Sequence, residues 1–339
     1  MAFVYAEDYL PQLEKYLTGQ NTEQNQTDSK SQPTQEVASY EKQSENMMRL
    51  IGDHSEQLIG MLGEPDRIDS SAYGYDWWIY KKNRQTYAQV GVENNQVVSV
   101  YVIGSKTNTD PFEIGEKREE VEKRVSLSSG LTLQKDGNEY RFRLSEEDMK
   151  MRPIIKYGDV YVQLYFDQFL NTISSIRIMD MDTLLKQRPY EIVYRGELPT
   201  APSLTSEEWK SVQEGEEQQI IDITNVIRDR FQLSPLAWDE ATAGVAYLHS
   251  KEMSDLNYFS HVSPAQGDLG NRLQKGDVVY RIAGENIASN YQDGIAAVEG
   301  WLNSEGHRKA LLNKEFTRLG VGVYEKYYTQ NFITPMNES

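Results

Sequence analysis

Two histidines and a glutamate in the last third of the chain are the side chains whose types and setting best suit chemistry. His261 lies in YFSHVSP, Glu285 precedes Asn286 in AGENIA, and His307 follows Ser304 by three residues in NSEGHRK. Imidazole nitrogens suit zinc, nickel and copper, and a carboxylate can bind such an ion directly or hold a bound water. The whole chain of 339 residues has only four histidines, so two of them in polar motifs indicate a binding site.

A hydrolase is a second interpretation of the same residues. Ser304 and His307 are three apart on a predicted helix, a spacing that lets their side chains meet. No nucleophile-elbow motif surrounds Ser304, however, and within a helix the neighbouring amides are used internally. A metal-assisted route would use His261 and His307 as ligands and Glu285 as base. Because two protein ligands hold a catalytic metal poorly, we expect a binding site rather than an enzyme.

Structural roles are the simpler alternative for some of these residues. Glu285 and Asn286 could equally bridge backbone amides in a loop, because buried polar groups are usually structural hydrogen-bonders. His261 could pack under Phe259. A further histidine, His249, lies on a predicted helix, where a packed or solvated role is more common than a ligand role, and it is left out of the site.

The elements that must position these residues form a separate domain from about residue 216. Apolar residues at helical spacing predict one helix ending near Phe231, and Asp239 begins a second with Ala241, Val245, Leu248 and Met253 as its apolar stripe. One continuous helix over 296–313 is predicted to carry Ser304 and His307. Two β runs, 319–324 and 327–333, close the chain.

Composition excludes several classes of protein. The formal net charge of −17 opposes binding to nucleic acid or to anionic membrane surfaces. The absence of cysteine excludes disulfides, thiolate zinc sites and cysteine nucleophiles. No window reaches the roughly 18 apolar residues of a membrane helix, so we expect no transmembrane segment. Residues 1–10 carry Glu7 and Asp8 and no basic region, so they do not form a signal peptide, although a leader could have been removed.

The region from about 47 to 194 is rich in alternating strand patterns and repeats itself loosely. Ile51-Gly52 recurs as Ile114-Gly115, and each pair is followed by a short helical stretch and then strands. The second copy holds extra residues between these landmarks. We therefore expect two related α+β units, and the 22 tyrosines suggest exposed or half-exposed β surface.

Stretches that are rich in polar residues and poor in apolar ones are predicted to be linkers. They cannot bury enough apolar surface to offset the entropy lost on ordering. The predicted segments are an N-terminal helical segment (1–17), a polar linker (18–46), the duplicated α+β domain (47–194), a second linker (195–215) and the C-terminal domain (216–339).

The C-terminal motifs, taken together, resemble the CAP superfamily of cysteine-rich secretory, antigen 5 and pathogenesis-related proteins, in its cysteine-free bacterial branch. The motifs that carry the resemblance occur in family order over about 120 residues. They are Asn225-x-x-Arg228, Leu236-x-Trp238, Phe259-Ser260-His261, Gly284-Glu285-Asn286, Trp301-x-x-Ser304-x-Gly306-His307-Arg308 and Gly320-x-Gly322. Less closely, the duplicated region resembles the domain that precedes some bacterial CAP domains.

The resemblance implies a three-layer α-β-α sandwich and a cleft in which His261 and His307 face one another beside Glu285. Animal members add a second glutamate, whose position here matches Ser304, so the full set of four is incomplete. Glu305 is shifted by one residue and should point elsewhere.

Residues and resemblance together predict a secreted or envelope-associated binding module. The expected ligand is a small lipidic, glycan or peptide molecule, with a divalent metal such as zinc on His261 and His307. Glu285, Asn286 and Ser304 would line the cleft. We also expect an intramolecular contact between the two domains. A metallohydrolase of peptide or cell-wall substrates and a structural or protein-docking module are the alternatives.

Overall fold

A computed structural model describes residues 2–3 and 46–336 of the chain. The helices of this part are α1 (Ser55–Leu62), α2 (Arg118–Arg124), α3 (Glu146–Met151), α4 (Met181–Gln187), α5 (Ser206–Arg230), α6 (Glu240–Asp255), α7 (Leu269–Lys275), α8 (Gly294–Leu302) and α9 (Glu305–Leu311). Its strands are β1 (Ala2–Phe3), β2 (Arg67–Ser70), β3 (Asp76–Tyr80), β4 (Ala88–Glu93), β5 (Gln96–Val102), β6 (Gly130–Lys135), β7 (Asn138–Arg143), β8 (Ile154–Tyr157), β9 (Val160–Asp167), β10 (Thr172–Met179), β11 (Glu191–Arg195), β12 (Ala237–Trp238), β13 (Tyr280–Ser289), β14 (Arg318–Tyr324) and β15 (Tyr327–Pro335).

The predictions for the first 46 residues lie almost wholly outside the described residues. This applies to the helical segment over 1–17, apart from the two residues of β1, and to the polar linker over 18–46, apart from Asn46. The side chain of Asn46 accepts a hydrogen bond from Met48 N at 2.9 Å, which starts a short 3₁₀ turn.

The upstream domain is built on a seven-stranded antiparallel sheet in the order β2-β3-β4-β5-β10-β9-β8. A smaller sheet, β11-β7-β6, lies beside it. Strands β6 and β7 and helix α3 are the extra residues of the second repeat. The upstream domain combines this antiparallel sheet with short helices, in agreement with the predicted α+β class.

The two predicted repeats share matched main-chain hydrogen bonds. Gly52 N donates to Val97 O at 2.8 Å, and Gly115 N donates to Ile173 O at 2.8 Å. The two glycines have φ of 92° and 91°, a left-handed conformation that glycine adopts without strain. Strands β5 and β10, one from each repeat, pair in the middle of the sheet.

The tyrosine-rich face of this sheet is buried, so the expectation of exposed β surface is wrong for this face, although Tyr157 of β8 and Tyr194 of β11 are exposed. Tyr75, Trp77, Tyr101 and Tyr165 are at most 3% exposed and belong to a core shared with the C-terminal helices. Tyrosine suits such a contact because its ring is apolar while its hydroxyl can still find a hydrogen-bond partner. Tyr75 OH, for example, accepts from Gln187 Nε2 at 2.8 Å.

Helix α5 begins inside the predicted second linker. Thr205 and Glu208 form a capping box, with Glu208 N donating to Thr205 Oγ1 at 3.3 Å and Thr205 N to Glu208 Oε2 at 2.7 Å. Residues 206–215 therefore extend the helix, and Val212 is buried. The Ser, Thr and Glu content that suggested a linker is also the composition of a capped helix start.

The C-terminal domain has the predicted three layers. Its sheet runs in the order β1-β13-β15-β14-β12. One face packs on α5, α8 and α9 through residues such as Ile220 and Trp301, and the other on α6 and α7 through Val245 and Leu273. A Cβ on Gly322 would lie 1.9 Å from Tyr247 N, so glycine is what lets α6 lie directly on β14.

Two details of the predicted helices are wrong. The helix predicted over 296–313 is broken, because Asn303 ends α8 with its side-chain amide on Glu299 O at 3.1 Å. Ser304 therefore lies at the N-cap of α9, outside helical geometry. On α6 the predicted stripe is partly on the wrong side: Leu248 is 55% exposed, whereas His249 is buried.

The two domains make an extensive intramolecular contact, as predicted. Arg177 of β10 and Asp293 at the start of α8 form an ion pair at 2.8 Å, with side chains 0% and 4% exposed. In the C-terminal half of α5, Asp222 pairs with Arg67 at 3.0 Å and with Lys81 at 3.2 Å. Polar anchors thus surround the shared apolar core.

Candidate functional site

Strand β13 supports the candidate site. It pairs with β15 along its length, while β1 lies opposite only Ile282 and Ala283. Within the described chain, the part of β13 that carries Glu285 is therefore at the edge of the sheet. Neighbouring residues of a strand point to opposite faces, which sends Glu285 towards α6 and α7 and Asn286 towards α9.

Glu285 joins His261 to a buried arginine. Its Oε1 lies 2.8 Å from His261 Nδ1, and Arg272 of α7 donates to both carboxylate oxygens, at 2.8 and 3.0 Å. Arg272 also donates to His261 O at 2.9 Å. Burial alone would raise the pKa of Glu285, but the hydrogen bond from His261 and the charge of Arg272 outweigh it and hold this pKa below its usual value.

His307 is oriented by Ser304 and by Asn286. Its Nδ1 lies 2.9 Å from Ser304 Oγ, and Asn286 Nδ2 donates to His307 O at 3.1 Å. Burial lowers the pKa of His307, and the charge of His261 lowers it further. That the two imidazoles face one another across a cleft stays a prediction of the resemblance.

His249 packs beneath the site. It is 1% exposed, and its Nε2 donates to Ser260 O at 3.0 Å, next to His261 in sequence. Burial lowers the pKa of His249 to about 4, so it is neutral at pH 7. This matches the structural role that kept it out of the predicted site.

The structure thus pairs His261 with Glu285 and His307 with Ser304. Asn286, which was predicted to line the cleft, is 1% exposed and is placed behind it, where it holds the main chain of His307. Glu305 points elsewhere, as expected, and pairs with Lys309 Nζ at 3.1 Å. We did not predict a role for Arg272. The one sequence signal for a buried role of Arg272 is its position three residues after Leu269, which places both residues on the same face of a helix.

The donor set suits a divalent metal only in part. Both imidazoles are fixed through Nδ1, and neither Nε2 has a protein partner in the described chain, an arrangement that often supports zinc through a carboxylate–histidine pair. Against this, Arg272 occupies both oxygens of Glu285. No group of three or more His, Asp or Glu side chains that could hold a metal occurs in residues 2–3 and 46–336. A metal here would have His261 and His307 as its protein ligands.

Two sizeable cavities lie away from these histidines. One, of about 320 Å³, lies between the domains and has Arg152, Tyr165, Gln292 and Glu299 in its wall. The other, of about 720 Å³, lies between residues 81–87 and α5. Neither has His261 or His307 in its lining.

Comparison with known proteins assigns both domains. A family model described as cysteine-rich secretory protein family matches residues 221–335, and one described as CAP-associated N-terminal matches residues 51–190. The chain belongs to the cysteine-rich secretory protein (CAP) family and carries the CAP-associated domain before its CAP domain.

Its relatives include bacterial proteins. An uncharacterized membrane protein of Bacillus subtilis strain 168, YlbC, is 50% identical over 319 residues, 93% of this chain and 92% of the relative. An extracellular SCP-domain protein of Bacillus anthracis has a solved structure with a TM-score of 0.83 and 47% identity, covering 91% of this chain and 99% of that one. A cysteine-rich secretory protein of Staphylococcus aureus gives a TM-score of 0.74 at 26% identity, covering 85% and 95%. In the described residues, no helix is both long and apolar enough to span a membrane.

Proposed function

We propose that the CAP domain is a binding module that acts outside the cell or at its envelope, and that its ligand lies against the imidazoles of His261 and His307. The observation that carries the proposal is their shared geometry. Each ring is fixed through Nδ1, by Glu285 or by Ser304, and each directs an unpartnered Nε2 away from its anchor. Rings that are oriented in advance lose little entropy on binding.

The surroundings of His261 favour an amphipathic ligand. Its own side chain keeps 42% of its surface exposed, so the upstream domain does not cover it. Phe259 and Val262, two residues before it and one after it, are 52% and 56% exposed. Apolar surface beside polar ring nitrogens suits a lipidic, glycan or peptide ligand that has an apolar part and a polar end.

A divalent metal such as zinc, one of the cations that imidazoles bind, completes the proposal. With only two protein ligands it would be weakly held and would leave coordination positions for the ligand. Calorimetric titration of Zn²⁺ into the wild type and into a His261→Ala, His307→Ala double variant tests this. His54→Ala, an exposed histidine of the upstream domain, is the matched control. We expect heat from the wild type and from the control but not from the double variant; equal heats from all three would remove the metal.

A hydrolase is the second candidate, favoured by the 2.9 Å contact between Ser304 Oγ and His307 Nδ1. This is the reach of a nucleophile and its base. Glu285 is a poor base, because Arg272 lowers its pKa and occupies its oxygens. Turnover of a panel of ester, peptide and wall-glycan substrates that Ser304→Ala abolishes and Glu285→Gln spares would support the serine route. No turnover by the wild type would leave the binding module.

The third candidate, a structural or protein-docking module, would be favoured by a CAP cleft filled by the upstream domain. That domain instead packs on α5 and α8 and on the start of α9. His261 keeps its exposure, which supports a site that remains open to a ligand.

A further inference from the structure

The turn between β9 and β10 in the upstream domain (residues 168–171) reaches the junction of α8 and α9. Gln168 N donates to Asn303 Oδ1 at 2.8 Å, and the side-chain amide of Gln168 donates to Asn303 O. Asn303 Nδ2 in turn donates to Phe166 O at 2.9 Å. Three hydrogen bonds between domains therefore fix one residue, the one that immediately precedes Ser304.

A buried ion pair fixes the other side of the same segment. Arg308, directly after His307, pairs with Asp167 at 2.8 Å, and the two side chains are 8% and 3% exposed. The Arg308 guanidinium lies 4.8 Å from the ring centre of Phe169 and 5.1 Å from that of Phe231. It also donates to Leu302 O at 3.0 Å. Residues from both domains thus hold Arg308 in place.

These contacts lie on both sides of Ser304 and His307 along the chain. Asn303 and Arg308 are the outer residues of a six-residue segment that contains Ser304 and His307, and both are held by the upstream domain. Only Ser304 and the first residues of α9 (Glu305–Leu311) lie between them. A shift of the turn would pass directly to the ring of His307.

We propose that the upstream domain positions the CAP site, with Asp167 and Gln168 as the positioning residues, so that His307 responds to the state of the contact between the domains. The inference rests on the proposed function of the His261–His307 site. It assigns the CAP-associated domain the role of regulating that site within the same chain.

The positioning effect is separable from docking of the domains. Arg67 and Lys81 bind Asp222 of α5, away from the α8–α9 junction, and Arg177 binds Asp293 at the start of α8. These pairs and the shared apolar core do not depend on the β9–β10 turn. Weakening the turn should therefore leave the two domains docked while α9 gains freedom.

Ring spectra of the four histidines in the full-length, metal-free protein provide the test. The variants are Gln168→Ala, at an exposed position, and Asp167→Asn combined with it. Asn retains the Oδ1 acceptor that Asp167 offers to Phe169 N and Leu170 N. Asp222→Asn is the control, because it weakens the interface at a distance from α9.

We expect the His307 signal to move in both variants, most in the double one, and amides 304–309 to exchange at least about tenfold faster. The signals of His54 and His249 should stay in place, and Asp222→Asn should leave His307 unchanged. An unmoved His307 in folded variants, or an equal shift in Asp222→Asn, would overturn the proposal. Because no ligand is used, a wild type that fails to bind Zn²⁺ would remove the metal from the proposed function without affecting this result.

Discussion

Arg272 donates to both carboxylate oxygens of Glu285, at 2.8 and 3.0 Å, with side chains only 2% and 3% exposed. A buried carboxylate on a strand edge is costly unless it is paired. The pairing therefore explains how Glu285 can stay charged and hold His261 by a charge-assisted hydrogen bond. It also makes Glu285 an anchor for the imidazole rather than a base.

Replacing Arg272 by methionine should destabilise the protein by about 3–5 kcal/mol, because Glu285 would be left buried and unpaired. Urea unfolding at pH 7 measures the loss. The Arg272→Met, Glu285→Met double variant should recover most of it, since an apolar pair replaces an ion pair. Lys275→Met, on the exposed side of the same helix, is the control. A loss no greater in Arg272→Met than in this control would contradict the role of Arg272.

Replacing Ser304 by alanine should lower zinc affinity by about tenfold or more, since partners that orient a ligand imidazole typically contribute that much. The unfolding midpoint should hardly change, because the Ser304 side chain makes no cap hydrogen bond to α9. Ser304→Thr keeps the hydroxyl and should keep the affinity. Equal affinity in the alanine variant would show that Ser304 does not orient His307.

The sequence predicts the architecture well because the elements have strong local signals. Asp239 caps α6 by accepting from Thr242 N at 3.0 Å. Gly320 and Gly322 occupy positions where a Cβ would meet the backbone of α6. The sequence alone predicts the roles of these residues, because their partners are near in sequence or because their residue type is compatible with few other roles.

Other features depend on partners that are remote in sequence. Asn303 breaks the predicted helix with bonds to Glu299 and to Phe166, 137 residues away. Arg272 binds a carboxylate on a different element, and Tyr75, Tyr101 and Tyr165 of the upstream domain are buried in a core that they share with the CAP helices. No periodicity within a single segment contains this information.

Glu217 on α5 should make stability depend on pH. Burial raises its pKa from 4.5 to about 7, while it accepts a hydrogen bond from Val323 N at 3.0 Å. The folded state therefore holds a proton that the unfolded chain releases between pH 4.5 and 7. Stability conferred by the neutral form is present below this window and is lost as pH rises through it, by up to about 3 kcal/mol.

Glu217→Gln should remove that dependence, so that urea unfolding at pH 5 and at pH 8 gives more similar free energies than in the wild type. Glu214→Gln, an exposed glutamate of the same helix, should retain the wild-type difference. An unaltered pH difference in Glu217→Gln would show that this carboxyl is not the source.

Adding a methyl group at Gly322 should separate α6 from β14. Its Cβ would lie 1.9 Å from Tyr247 N and 2.3 Å from Ala246 C, both backbone atoms that cannot turn aside. We expect Gly322→Ala to cost on the order of 1–3 kcal/mol or more in thermal unfolding. Gly244→Ala, on α6 with open space around it, should instead be neutral or stabilising. Similar unfolding midpoints for the two variants would refute the close packing.

A zinc titration followed through the ring signals of the four histidines tests most directly whether His261 and His307 form one site. We expect these two signals to shift together, with a common half-saturation point, while those of His54 and His249 do not change. Movement of only one of the pair, or of His54 along with them, would contradict a shared site.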